Sequence, residues 1–254
     1  MPELSSFYPG GAESVENGVG AKDYQYFTSV DGASFQLSEA GATPLSLVNG
    51  WTNGPDNTSN AAARIVGGVV YLQGAVSDGT ANLITTLPPA MRPTTNVYVR
   101  IVNLCGTFDS GGLLIGTDGT VTIHDFVSGH PECLVSLDGV TFVQSAAVPL
   151  TLENGWTNSP FGTTSASFRN IGGIVRLKGA ISTTSSNPNK VPFTLPVGSR
   201  PAVAAFIPVD MCNATPGDLL IGTDGTVTVQ AQGGTASNAQ CLTSLDGAWF
   251  ANAN

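Results

Sequence analysis

The side chains best equipped for chemistry are few. His124, Asp125, His130 and Glu132 fall in one short stretch, a mixture of imidazole and carboxylate that suits metal ligation or a general base. A solvated loop is the better reading, because the matching stretch later in the chain has Gln230, Ala231 and a glycine-rich run instead. With 2 histidines in all, other acid–base chemistry would rest on carboxylates. Asp118, Asp138, Asp224 and Asp246 are each followed by glycine, the mark of a turn. No nucleophile elbow, phosphate-binding loop, dinucleotide fingerprint or His-Glu-x-x-His occurs. The expectation is a protein that is not an enzyme and holds no cofactor or metal.

The 4 cysteines fall into equivalent pairs, Cys105 with Cys133 and Cys212 with Cys241. Each pair is expected to meet in space, as a disulfide or as packed thiols. Cytosolic synthesis argues against the disulfide, and later exposure to an oxidising medium argues for it. A zinc site made from all of them lacks any Cys-x-x-Cys spacing.

What positions these residues is a duplication. Asn49-Gly50-Trp51-Thr52-Asn53 recurs as Asn154-Gly155-Trp156-Thr157-Asn158. Leu87-Pro88 and Arg92-Pro93 return as Leu195-Pro196 and Arg200-Pro201. The run from Ile115 to Thr122 returns from Ile221 to Thr228, and Ser136 to Gly139 returns as Ser244 to Gly247. Ordered matches of this kind mark tandem repeats. Residues 28–35 resemble 135–142, so the chain starts with the tail end of a further unit, which the pattern assigns to the sheet of the first repeat.

Within each repeat the signals are those of strands. Arg64 to Val76 and Arg169 to Ile181 are β-branched runs whose glycines predict a bulge or sharp twist. Asp118-Gly119 and Asp224-Gly225 predict type I′ hairpins. Trp51 and Trp156 are expected in the core or between sheets. The predicted fold is all-β: two tandem β-sandwich or jelly-roll modules, residues 27–144 and 145–254, preceded by an extended N-terminal arm, residues 1–26.

Composition agrees, with 31 Gly, 16 Pro and only 11% charged residues, a mix for short strands and tight turns. The formal charge of −9 repels phosphate backbones and excludes nucleic acid as a natural partner. The N-terminus has no basic then apolar signal-peptide pattern, and no apolar stretch reaches the ~18 residues of a membrane span. Synthesis in the cytosol without membrane insertion is expected.

The order Gly-Trp-Thr-Asn, Gly-Val-Val-Tyr-Leu-Gln-Gly, Leu-Pro-Pro-Ala-Met-Arg-Pro, Asp-Gly-Thr-Val-Thr and Ser-Leu-Asp-Gly-Val-Thr-Phe resembles the β-rich modules of tailed-bacteriophage tail fibres and minor tail proteins, over residues 45–142 and again 150–250. The resemblance implies a virion surface protein, a homotrimer assembled in the host cytoplasm and exposed on the released particle. On that reading Phe7, Tyr8, Tyr24 and Tyr26 of the arm dock onto other virion proteins, as aromatic residues of extended segments fill partner pockets. The loops that differ between repeats, about 54–63, 77–86, 103–112 and 125–132, would face a host-surface glycan. The alternatives are a capsid-decorating or head-fibre protein and, from another class, a carbohydrate-binding module or glycan-active enzyme.

Overall fold

The structure is a computed structural model that describes residues 30–33, 40–105, 107–124, 134–185, 189–232 and 236–253, with only the backbone described for 103–105 and 107–110. The chain divides into two compact units, Met1–Val30 and Asp31–Asn254. The predicted docking arm, with Phe7, Tyr8, Tyr24 and Tyr26, lies outside the described residues.

The first repeat supplies β1 (Thr43–Pro44), β2 (Thr52–Asn53), β3 (Ala62–Val66), β4 (Val69–Gln73), β5 (Ala75–Ser77), β6 (Leu83–Thr86), β7 (Val97–Cys105), β8 (Thr107–Ile115), β9 (Thr120–His124), β10 (Val135–Ser136) and β11 (Thr141–Val143). They form a four-stranded sheet, β1-β3-β4-β11, and a seven-stranded sheet, β2-β5-β10-β7-β8-β9-β6. The second repeat supplies β12 (Val148–Pro149), β13 (Thr157–Asn158), β14 (Ser167–Ile171), β15 (Ile174–Lys178), β16 (Ala180–Ser182), β17 (Phe193–Thr194), β18 (Ala205–Met211), β19 (Thr215–Ile221), β20 (Thr226–Ala231), β21 (Thr243–Ser244) and β22 (Trp249–Ala251). Its sheets are ordered β12-β14-β15-β22 and β13-β16-β21-β18-β19-β20-β17. Strand for strand this is the order of the first repeat. One short helix, α1 (Ala236–Cys241), precedes β21.

In each repeat the two sheets share a core, as in a sandwich. Val70, Leu72 and Phe142 of the smaller sheet pack with Val76, Leu113, Ile115, Val121 and Val135 of the larger. Val175, Leu177 and Phe250 pack with Ile181, Leu219, Ile221 and Val227 in the same way. Each such side chain removed from water contributes about 1.5–3 kcal/mol, and the alternation of strand residues leaves the opposite faces free for other contacts.

The turn chemistry differs from the sequence reading in two places. Gly67 and Gly68, expected as a bulge or a sharp twist, are the two central residues of a tight hairpin between β3 and β4, with φ of 60° and 79° and Val66 paired to Val69. The Asp-Gly turns are not type I′, because positive φ belongs to Gly119 and Gly225 alone, at 89° and 87°. Gly119 N–H donates to the Gly116 carbonyl, which makes a type I turn ending in a left-handed glycine. Asp118 is thereby free to accept from both the N–H and the hydroxyl of Thr120, at 3.0 and 2.7 Å.

Candidate interaction surfaces

The residues repeated in both halves serve the fold. Trp51 and Trp156 are 5% and 6% exposed, and their indole N–H groups donate to the carbonyls of Ala81 and Asn189. Asn53 and Asn158 accept from the backbone of Ala61 and Ala166. Three of the sequence motifs meet in one place: Leu87 N–H donates to the Gly119 carbonyl and Arg92 Nε donates to the Leu87 carbonyl. Leu195, Gly225 and Arg200 repeat the arrangement. Asp118 and Asp224 have carboxyls held below the usual range, the first by the Thr120 hydroxyl, the second by the Thr226 N–H, in keeping with a turn role.

The other sequence candidates fare unequally. Cys212 and Cys241 are joined by a disulfide, with Cα atoms 5.8 Å apart. The side chain of Cys105 and all of Cys133 lie outside the described residues. So do Asp125, His130 and Glu132. His124, the described member of that stretch, meets the Tyr98 ring edge-on at 5.6 Å. No cluster of His, Cys, Asp or Glu suited to a metal occurs among the described residues.

The most polar buried ground is the junction between the repeats, which the sequence reading missed. Arg100 on β7 faces Asp210 and Asp218 on β18 and β19 of the second repeat. Burial pulls its guanidinium below its usual range, while both carboxylates act against that shift. Burial also pushes the Asp218 carboxyl and the Tyr98 phenol up, the latter with help from Asp210. Gly112 leaves room for Asp210, since a Cβ there would lie 2.8 Å from Asp210 Oδ2. Beside this charged patch, Tyr98, Ala180 and Leu242 form an apolar cluster with Leu114 and Cys212 packed against it. Ser244 Oγ donates to the Tyr98 carbonyl, and Asn96 Nδ2 donates to the Phe161 carbonyl.

Comparison with protein-family models, curated proteins and solved structures finds no match to the chain.

The junction encloses a small cavity of about 140 Å³, lined in part by Arg92, Thr95 and Gln144 of the first repeat and by Lys178 and Asp246 of the second. Asp246 is 4% exposed, and burial pushes its carboxyl from an ordinary 3.8 up to about 7, against the pull of the Gly179 N–H and Lys178. Its counterpart Asp138 makes the same bond, to Gly74 N–H at 3.0 Å, but is exposed. Burial at the junction perturbs Asp246.

Away from the junction, the loops around Trp51 gather exposed polar groups. Asp78 accepts from the hydroxyls of Ser77 and Thr52 at 2.8 and 2.9 Å, which hold its carboxyl below the usual range. Asp56 and Asn57 of the neighbouring turn are exposed too. In the second repeat Thr183 and Phe161 stand at the places of Asp78 and Asp56. The two loop ends thus offer different chemistry on the same frame. The signal for the junction was of the same kind: Arg100, Val102 and Gly112 become Pro208, Asp210 and Asp218, differences that lie on strands rather than in loops.

Proposed function

We propose that the chain is a structural protein of a tailed-phage particle, a surface-projecting, fibre-like appendage that contacts the host cell. The observation that carries this reading is one frame used twice with different loop ends. The residues common to both repeats hold turns, corners and core, while the exposed Asp56 and Asp78 give way to an exposed Phe161 and a buried Thr183 at the loop ends. Contact surfaces built on rigid scaffolds take this form. The ordered motif set that resembles phage tail modules supplies the setting, and fold alone would not. Exposed carboxylates and amides beside a buried tryptophan suit hydroxyl-rich glycans on a cell surface.

The test labels particles of the parent phage with antibody to the chain and compares their adsorption and sturdiness with those of particles made after deletion of the gene. Label on the particle, with adsorption lost and particles still sturdy, supports the appendage. Full adsorption with fragile particles replaces it by shell decoration. Unlabelled particles remove the virion reading.

A further inference from the structure

The contact between the repeats uses different surfaces on each side. The second repeat offers Asp210, Leu242, Ser244 and Gly247, and the first receives them on Tyr98, Val99 and Arg100. Since the repeats share one fold, each carries both surfaces. Strand register makes Val102 the counterpart of Asp210, and Pro208 the counterpart of Arg100. A head-to-tail contact of this sort leaves one surface of each type over, and it closes into a ring or propagates unless something stops it.

The receiving surface left over on the second repeat holds a third example of the same turn. Asp31 Oδ2 accepts from Phe206 N–H at 3.3 Å. A methyl group on Gly32 would lie 3.4 Å from Ile207 Cγ2 and 3.9 Å from the Trp249 carbonyl oxygen. One on Gly247 would lie 2.9 Å from Val99 Cγ1 and 3.7 Å from the Thr141 carbonyl oxygen. Val99 and Thr141 are the counterparts of Ile207 and Trp249, so one Asp-Gly turn occupies the same seat on each repeat. The sequence assigns the segment around Asp31 to the first repeat's sheet, but its described residues reach the second repeat. Beyond that turn Pro208 remains exposed. At the opposite end Val102 is 56% exposed where Asp210 is 1% exposed, and Asp138 is exposed where Asp246 is 4%.

We propose that this chain associates with a second molecule of itself by repeating its internal contact. The surface of the first repeat around Val102 and Asp138 docks on the surface of the second repeat around Phe206 and Pro208 of the other molecule. Asp31–Gly32 is the cap that competes for that seat. Val102 then meets Pro208, an apolar pair beside Asp218, where the internal contact sets Asp210 near Arg100 beside Gly112. The inference does not rest on the particle reading.

Apart from Asp31→Ala, the test exchanges residues between counterpart positions, so each such substitution places a side chain the frame already holds elsewhere. Association is measured by sedimentation over a range of concentrations, with unaltered thermal unfolding of the unassociated molecule as the check on folding. Asp31→Ala opens the seat and strengthens association. In that background Val102→Asp alone buries an unpaired charge and weakens association roughly a hundredfold. Val102→Asp with Pro208→Arg recreates the internal charge pair and recovers most of the loss. A chain that stays monomeric after Asp31→Ala overturns the proposal. So does a Val102→Asp variant without effect, or a double variant no better than Val102→Asp alone.

Discussion

Arg176 and Tyr71 occupy the same position in the two repeats, the centre of β15 and of β4, and they bond to one another. Arg176 Nη2 donates to the Tyr71 hydroxyl at 3.0 Å, and its guanidinium lies 5.3 Å from the Tyr71 ring centroid and 5.7 Å from that of Trp249. Equivalent residues that meet mark the place where the repeats turn about each other. Burial pulls the arginine below its usual range, and it stays charged regardless.

Removing that hydroxyl and removing the arginine should differ in cost. Tyr71→Phe deletes one hydrogen bond and keeps the ring, at about 1 kcal/mol. Arg176→Ala deletes the bond, both ring contacts and the packed stem, at about 2–3 kcal/mol. Arg176→Lys should recover little, since an ammonium neither lies flat on rings nor holds the same fork. Urea unfolding midpoints measure all three, and a lysine variant as stable as the parent would refute the stacking account.

Gly79 has an ordinary φ and is nonetheless indispensable. A Cβ there would sit 2.0 Å from Trp51 Cε2, and the indole cannot retreat because its N–H is fixed to the Ala81 carbonyl at 2.9 Å. Gly79→Ala should therefore destabilise by about 1–3 kcal/mol as an overpacked core does. The same measurement on Trp51→Ala should show about 3–5 kcal/mol. A neutral Gly79→Ala would mean that the loop simply moves away.

Much of this was legible in the sequence because turn chemistry is local. Asp-Gly, Gly-Trp-Thr-Asn and the Leu-Pro to Arg-Pro spacing located the duplication, the hairpins and the buried tryptophans. The turn type was misjudged at Asp118, since Asp-Gly fits a type I turn with a left-handed glycine as well as type I′. Arg100 and Asp210 were illegible for another reason. Alternation tells that a strand residue points away from its own core but not which neighbour covers it. Gly79 depends on where tertiary packing puts the Trp51 ring, and no local pattern carries that.

The Cys212–Cys241 bond closes a loop with a sequence separation of 29 that contains β19, β20 and most of α1. Chain-entropy reasoning gives about 3–4 kcal/mol for a loop of that size. Reduction should lower the unfolding midpoint accordingly, and Cys212→Ala should match the reduced protein. Since Cys212 also packs against the Tyr98, Ala180 and Leu242 cluster, the loss should loosen the junction as well. Hydrogen exchange at Tyr98 that is unchanged by reduction would confine the effect to the second repeat.

The clearest pH effect belongs to Asp246. Its carboxyl titrates at about 7 when folded and at an ordinary 3.8 when unfolded, so between those values the folded chain holds a proton that the unfolded chain has lost. Its contribution is fully present below about 4 and disappears as pH rises, at about 1.4 kcal/mol per unit, until the folded carboxyl itself ionises near 7. Lys178, which shares the cavity, pulls the Asp246 carboxyl the other way and limits the loss. Asp246→Asn keeps an acceptor for Gly179 N–H, now at 3.1 Å, and removes the charge. The variant should unfold at higher temperature than the parent at pH 8, match it near pH 4, and flatten the profile between. A profile for Asp246→Asn that keeps the parent's slope between pH 4 and 7 would show that some other group governs the titration.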